Sequence, residues 1–505
     1  MSRWVFKVGV FALLFCTVGS VFAADQGPEL KFDPNAVVTP ESQPKKANSD
    51  FVYGAKPIAK FGNDNTYIKL GGYASMRYET DSAQDVNDTF TLRRVVFTTD
   101  AKIASRLRFY SELEFERFRK IELESITTAT PGGGLSQSLS IEGTNKSEIS
   151  LEQAWFELDF KNWIRLRGGA VLIPLGRFNI NHDDNQWNLP RRSLVDRGVP
   201  VLAVGSAWDE LGLGLNGDIE LGEKQKLNYQ IYVVNGAILN GQMEHKIQTR
   251  VRDTTLNEIE SELNIQTGVF SRDVKNAKTV TGRVMWSPRL GHEFGFSGYW
   301  GRYTPQFLQG KNMTSFGVDT LQSWGAFDFE AEYLYTHLGG LQSTVAGLAS
   351  RIMDSESKNE STVPAPGVET EVDFNPSGMA ATKQGYWAEF RYHWRPSWLT
   401  HSFFGKYFSD PQIIPIVRVE QAFLNNRIVN ATFANGALTN YQTQNNRVDR
   451  FTAGMAFRLN PLAVFHLAYE YTQTNKGTPL AAVVNYLPTP SSKNSSIMFG
   501  AAFGF

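Results

Sequence analysis

The 505-residue sequence predicts an all-β fold: a closed transmembrane antiparallel β-barrel of about 16 strands, with long extracellular loops and short periplasmic turns. Three observations predict it. From Thr66 to the last residue, segments of roughly ten residues alternate apolar and polar side chains, which places one kind on each face of a strand. The connections between these segments alternate short and long, so the long ones gather at one end. The chain also ends on such a segment, SIMFGAAFGF, with Ile497, Phe499, Ala501, Phe503 and Phe505 on one side. Lipid offers backbone groups no partner, so strands cross it only in a sheet that closes on itself.

Composition excludes the other way of crossing a bilayer. The apolar fraction is 42% and the mean hydropathy −0.29. Nothing after the first 23 residues approaches the roughly 20 consecutive apolar residues of a spanning helix. The aromatic share, 13%, is high.

At the N-terminus, Arg3 and Lys7 precede the apolar run Val8 to Val18, and Val21-Phe22-Ala23 forms a small-x-Ala cleavage site. Residues 1–23 therefore read as a signal peptide. The single cysteine, Cys16, falls inside it, and Phe15 is too large for the small residue that a lipoprotein cleavage site needs. The exported chain would hold no cysteine and needs no disulfide in an oxidising periplasm. Removing the signal takes two of the 50 basic residues and none of the 51 acidic ones, for a formal net charge of −3. A nucleic-acid binder would show a basic excess instead. Residues 24–65, rich in Pro, Lys, Asn and Ser without a period, read as a flexible periplasmic arm, and residues 66–505 as the barrel.

The first strand sets the pattern: Ile68, Leu70, Ala74, Met76 and Tyr78 share one face, and Lys69, Tyr73 and Arg77 the other. Between 386 and 395, Tyr386, Ala388, Phe390, Tyr392 and Trp394 oppose Trp387, Glu389, Arg391, His393 and Arg395. Phe451 to Leu459 and Ala463 to Tyr471 repeat it around Asn460-Pro461. Tight turns are expected near 102–105, 161–163, 221–225, 288–291, 396–400 and 460–462. Long polar loops are expected near 118–147, 174–206, 237–277, 338–383, 409–448 and 474–494. A soluble sandwich shows the same alternation within strands, but not this asymmetry of loops. At about 16 strands the lumen is an aqueous channel, and the polar face lines it.

That polar face is mixed. Arg106 and Arg108 alternate with Leu107 and Phe109, and the same face continues into an acidic ladder of Glu112, Glu114 and Glu116. Glu157 and Asp159 follow on the next strand, then Arg165 and Arg167. Tyr299, Trp300, Trp324, Trp387, Trp394 and Trp398 read as interface-girdle aromatics, although the register points Trp387 inward, where a sugar-stacking role is the sharper alternative.

The stretches FTLRRVVFTTDAKIASRLRFYSELEFE (90–116), EQAWFELDF (152–160), WIRLRGGAVLIPLGRFN (163–179) and RRSLVD (191–196) resemble the phosphate-selective porin O and P family of outer-membrane channels. The resemblance covers residues 66–215. It implies a trimeric 16-stranded porin with arginines lining the pore and a third loop folded inward. Carried over by motif, Arg93 and Arg94 match the family's pore-lining pair, and Arg165 and Arg167 its arginine strand; Arg77, Arg106 and Arg108 join them on the wall. One side of a regular strand faces the lumen, so a pair of adjacent arginines is anomalous. Where family members carry Lys before the turn, this chain has Leu172 before Ile173-Pro174-Leu175-Gly176.

The loop at 174–206 follows the fifth strand, the place of the constriction loop in trimeric porins, and carries Arg177, Arg191, Arg192 and Arg197. Guanidinium groups there offer bidentate contacts to oxyanions. The bland alternative is a loop that packs on itself through Asp/Arg pairs. His182-Asp183-Asp184 invites a metal reading, but three adjacent residues rarely point at one ion and no second His lies nearby, so no metal and no cofactor is expected.

The expected function is passive diffusion of small hydrophilic solutes, with an arginine constriction favouring anions. The alternatives are a weakly selective or cation-preferring pore, suggested by the glutamate ladder, an outer-membrane hydrolase, or an adhesin with a plugged lumen. None of the seven His lies in a nucleophile motif, so no enzyme is expected. Expected partners are outer-membrane lipid, the solutes, two further copies in a homotrimer, and the barrel-insertion machinery through the strand ending at Phe505.

Overall fold

The computed structural model describes residues 59–505 except 64, 83–87, 117–120, 131–133, 144–147, 206, 250–254, 268–272, 274, 360–367, 377, 409, 435, 436 and 488. The signal peptide and most of the expected arm lie outside the described residues. The last stretch of that arm, Ala59–Gly62, is a short strand.

Sixteen strands form a closed antiparallel cycle. They are β1 (Tyr67–Glu79), β2 (Thr89–Ala104), β3 (Leu107–Glu116), β4 (Glu148–Lys161), β5 (Ile164–Leu172), β6 (Asp209–Glu220), β7 (Lys226–Val234) and β8 (Thr279–Arg289). The second half is β9 (His292–Arg302), β10 (Asn312–Trp324), β11 (Phe327–Leu338), β12 (Ala380–Tyr392), β13 (Gln412–Ala434), β14 (Ala437–Asn460), β15 (Ala463–Thr474) and β16 (Lys493–Gly504). Each pairs with the next, and β16 closes on β1 through Tyr73↔Gly504 to Glu79↔Met498. Gly72 and Phe505 exchange backbone hydrogen bonds of 2.9 and 3.0 Å at the end of that seam. Beyond Phe505, Ala59–Gly62 pairs with Tyr67 to Leu70 and covers the edge of β1 that β16 has left.

The outward face is apolar on strand after strand. Ile68, Leu92, Phe156, Leu213, Phe296, Val318, Phe390, Val419, Met455 and Phe503 are all exposed large hydrophobics. A contiguous apolar belt of this kind on a closed barrel is a lipid-facing surface. Trp300, Trp324, Trp394 and Trp398 are exposed, as girdle residues must be. Tyr299 and Trp387 are not: both are buried inside, because each alternates with an outward neighbour, Trp300 or Tyr386.

The connections depart from the expectation in five places. Residues 409–448 are not a loop: β13 and β14, of 23 and 24 residues, run through them. At about 3.3 Å per residue each is roughly 75 Å long, and a strand that has left the lipid needs no apolar face, which hid it from the alternation pattern. The tight turn at 396–400 is a wider connection, 393–411, holding the short helices α3 (Ser397–Thr400) and α4 (Phe403–Tyr407). The loop at 118–147 carries a hairpin, Ile121–Thr130 with Gly134–Gly143. In the loop at 237–277, Ile238–Thr249 pairs with Thr255–Gln266, which takes Val368–Asn375 of the loop at 338–383 as a third strand. That last loop also holds α2 (Leu341–Asn359). The remaining α-helix among the described residues, α1 (Arg177–Ile180), opens the loop between β5 and β6.

Candidate functional site: a charged loop across the lumen

The loop between β5 and β6, residues 173–208, lies inside the barrel. Its entry is set by Gly176, whose φ of 87° suits glycine, and α1 follows at once. Ile173, Leu175, Leu194, Val195, Val201 and Trp208 are fully buried. They join a cluster with lumen-facing Trp155, Tyr232, Tyr299 and Trp387. Phe178 sits 5.0 Å from the Trp387 ring, and Trp387 Nε1 donates to Glu332 (2.9 Å).

Charged side chains tie this loop to the wall on opposite sides. On β9 to β11, Arg177 reaches Glu293 (3.1 Å), Asp319 (3.3 Å) and Glu330. Its backbone N–H donates to Glu332. Near β1 and β2, Asp184 accepts from Ser75 Oγ (2.6 Å) and pairs with Arg93 (3.2 Å). Arg191 bridges Glu79 of β1 and Glu470 of β15 and lies over the Tyr486 ring. The Leu194 N–H donates to Glu420 of β13 (2.7 Å).

The irregular backbone of the loop leaves carbonyls that need donors, and wall arginines supply them. Arg458 donates to the carbonyls of Asn185, Gln186 and Trp187 at 2.8 to 3.2 Å. Arg77 bonds the Pro190 carbonyl (3.0 Å), Arg418 that of Arg191 (3.1 Å) and Arg450 that of Arg192 (3.4 Å). Arginine suits this role because its five donors fan out in one plane.

Of the predicted wall arginines, the structure places all but one inside. Arg77 also pairs with Glu79 (2.9 Å). Arg93 and Arg94 both face the lumen because β2 carries a bulge there: Ser75 pairs with Arg94 and Met76 with Leu92, leaving Arg93 as the extra residue. Arg94 pairs with Glu114 (2.9 Å). Arg108 pairs with Asp100 (2.8 Å), Arg165 with Asp218 (3.0 Å), and Arg167 with Glu157 (2.7 Å) while stacking 3.9 Å over Trp155. Arg106 is the correction. It sits exposed in the turn between β2, which ends at Ala104, and β3, which begins at Leu107. A register shift between Lys102 and Ala104 moves the turn one residue later than the pattern suggests.

In the loop, Arg177 and Arg191 are ion-paired as described. Arg192 donates to the His182 carbonyl (2.7 Å) and stacks over Trp187 (4.6 Å). Arg197 is half-buried, with its Nε unbonded. Neighbouring carboxyls of the loop diverge in acidity. Burial alone would raise Asp184, but the guanidinium groups of Arg93, Arg94 and Arg192 hold it well below the usual carboxylate range. Burial and the nearby Glu112 push Asp183 up to about 8.

Sequence reasoning missed the second half of the network: Arg283, Asp319, Glu330, Glu332, Arg418, Glu420, Arg450 and Glu470. The signal was there, since Arg450 alternates with Phe451 and Glu470 with Tyr469 and Tyr471, in strands whose outward face the pattern had already identified.

No family model matches the chain. An uncharacterized protein of Aquifex aeolicus strain VF5 is 26% identical over 170 residues, 34% of this chain and 32% of that protein. The match thus spans about a third of that relative's length. Among solved structures, Salmonella typhi OmpF in complex with daunomycin aligns over 88% of this chain and all of its own, at 10% identity and a TM-score of 0.48. The anion-selective porin of Comamonas acidovorans aligns over 87% and 100%, at 8% identity and 0.46. The outer-membrane channel DcaP of Acinetobacter baumannii aligns over 89% and 100%, at 9% and 0.44. By its own architecture the chain is a closed transmembrane β-barrel of the bacterial outer-membrane type.

Proposed function

We propose that the protein is a passive diffusion channel for small hydrophilic solutes, without covalent chemistry, whose narrowest part is set by the loop at 173–208. The observation that carries this reading is the loop's position: it lies within a closed barrel and brings charged groups of loop and wall together. Rate and selectivity then follow from the pore radius and the charges that line it.

The geometry supports weak charge selectivity best, because the guanidinium groups of Arg165, Arg167, Arg177 and Arg191 each face carboxylates within ion-pair distance. Anion preference is the second reading, and Arg197, whose Nε has no partner, favours it. The narrower kinship with the phosphate-selective porins O and P rests on residues 90–116, 152–160 and 163–179; block of the current by phosphate would support it. The proposal extends to a homotrimer, tested by the mass of the detergent-solubilised particle, and to recognition of the strand ending at Phe505 by the barrel-insertion machinery.

The experiment is a flux assay in lipid vesicles combined with reversal potentials in a salt gradient. Uptake that falls with solute size and does not saturate supports the channel. A reversal potential near zero supports weak selectivity, and one on the anion side that moves toward cations in Arg165→Gln/Arg167→Gln supports anion preference. Vesicles that stay impermeable to ions and small sugars overturn the proposal.

A further inference from the structure

A second kind of site lies where the loop meets β3 and β4. The His182 side chain is fully buried, and its Nδ1 is 3.1 Å from the Asn179 carbonyl oxygen. A carbonyl only accepts, so Nδ1 carries a proton and Nε2, on the other side of the ring, is the nitrogen left to bind a metal in place of its own proton. Nε2 faces three carboxylates: Glu152 Oε2 at 3.1 Å, Glu112 Oε1 at 3.6 Å and Asp183 Oδ1 at 4.0 Å. Glu112 Oε1 and Asp183 Oδ1 are buried and have no hydrogen-bond partner.

The backbone builds this cluster deliberately. Glu112 pairs with Gln153 and Leu113 with Leu151, so Glu152 is the extra residue of a bulge in β4. The bulge turns Glu152 inward beside Glu112, where a regular strand would aim it at lipid. The remaining atoms of the set are fixed in turn. Gln153 Nε2 (2.8 Å) and the Tyr110 hydroxyl (3.4 Å) donate to Glu112 Oε2, and Gln186 Nε2 donates to Asp183 Oδ2 (3.0 Å). Asp184, next in sequence, points away to Ser75 and Arg93 and takes no part. The nearest cation on the wall, Arg94, lies 3.8 Å from Glu152 Oε1 and is engaged with Glu114.

We propose that Glu112, Glu152 and His182, whose donor atoms all lie within 4.8 Å of one another, bind a divalent first-row cation of the Zn2+ or Mn2+ class, which staples the loop to β3 and β4. One imidazole nitrogen with carboxylate oxygens is the donor set of such ions, whereas Ca2+ and Mg2+ take oxygen alone. Bonds of 2.0–2.2 Å at a tetrahedral centre place donor atoms about 3.4 Å apart, and the distances from Nε2 bracket that value. Orientation of the His by a carbonyl, and of Glu112 by an amide donor, is the outer shell that metal ligands use. A proton on Nε2 satisfies one oxygen; a dication satisfies both glutamates.

The test uses the full-length exported protein in detergent, stripped with EDTA and equilibrated with ZnCl2 or CoCl2. Elemental analysis should return about one zinc per chain, and cobalt should give the visible absorption band of a mixed nitrogen and oxygen site. Glu112→Gln and His182→Gln should each weaken zinc binding by at least about tenfold, while His401→Gln, an exposed His at the short-turn end, retains it. Zinc well below one per chain, or retention undiminished in both site variants, overturns the proposal. The cobalt spectrum of the unmutated protein decides independently of how the variants fold: absence of the band overturns it.

Discussion

Arg177→Met is the most informative single change in the loop. Its guanidinium faces Glu293, Asp319 and Glu330, and two of these keep another cation when it is lost: Asp319 keeps Arg283 (2.5 Å) and Glu330 keeps Arg391 (2.7 Å). Glu293, on β9, then stands as a bared carboxylate beside the loop. A unit charge about 5 Å from a passing ion in water is worth about 0.8 kcal/mol, roughly fourfold in that ion's population and opposite in sign for the counter-ion. Screening at 0.1 M salt trims this, so the cation-to-anion permeability ratio should rise about three- to tenfold. Losing one member of a buried ion pair also costs about 3–5 kcal/mol, here spent on loosening α1, which should appear as added current noise. The assay is the reversal potential across a salt gradient in planar bilayers. Adding Glu293→Gln to Arg177→Met should return the potential to its original value without quieting the noise. An unchanged potential in the single variant, or no return in the double, refutes this account of how the loop is held and how its charge is balanced.

Three further predictions concern other parts of the fold. In Gly72→Ala a Cβ would stand 2.0 Å from the Val96 carbonyl oxygen of β2 and 3.0 Å from the Phe505 ring, so β1 should fail to seat between β2 and β16, read as loss of the heat-modifiable folded form on gels. Trp387→Ala removes the tilted ring contact with Phe178 and the donor to Glu332; a cost of about 3–5 kcal/mol should free the loop's entry and raise conductance fluctuations while the barrel stays folded. The carboxyl of Asp184 is held below its ordinary value by Arg93, Arg94 and Arg192, so its anchoring of the loop is fully present above about pH 4 and is lost only as the pH falls through the lower folded value. Current noise should therefore stay flat from pH 7 to 5 and rise at lower pH, and Asp184→Asn should show the raised noise already at pH 7.

Much of the barrel was legible because lipid imposes a pattern that water does not. The faces of β1, β12, β15 and β16 follow the alternation residue by residue, and Phe505 closes on Gly72 as the terminal strand required. Where the chain leaves the bilayer the pattern ends, and with it the means of seeing β13 and β14 through residues 409–448. Bulges are equally silent in sequence. Without the extra residue in β2 and β4, Arg93 and Glu152 would face lipid, and nothing in their neighbours announces that they do not. The inward course of the loop was suggested by resemblance; its reason is physical, since residues such as Ile173, Leu194 and Trp208 find an apolar cluster only inside the lumen. The surroundings of His182 were hidden because the carboxylates it faces come from strands 30 and 70 residues away in sequence.

Single-channel recording of the unmodified protein in a planar bilayer under symmetric potassium chloride tests the central reading most directly. Discrete, ohmic conductance steps are expected from a water-filled path past the loop at 173–208. A folded protein, verified by its heat-modifiable mobility, that inserts into the bilayer and passes no current would contradict it.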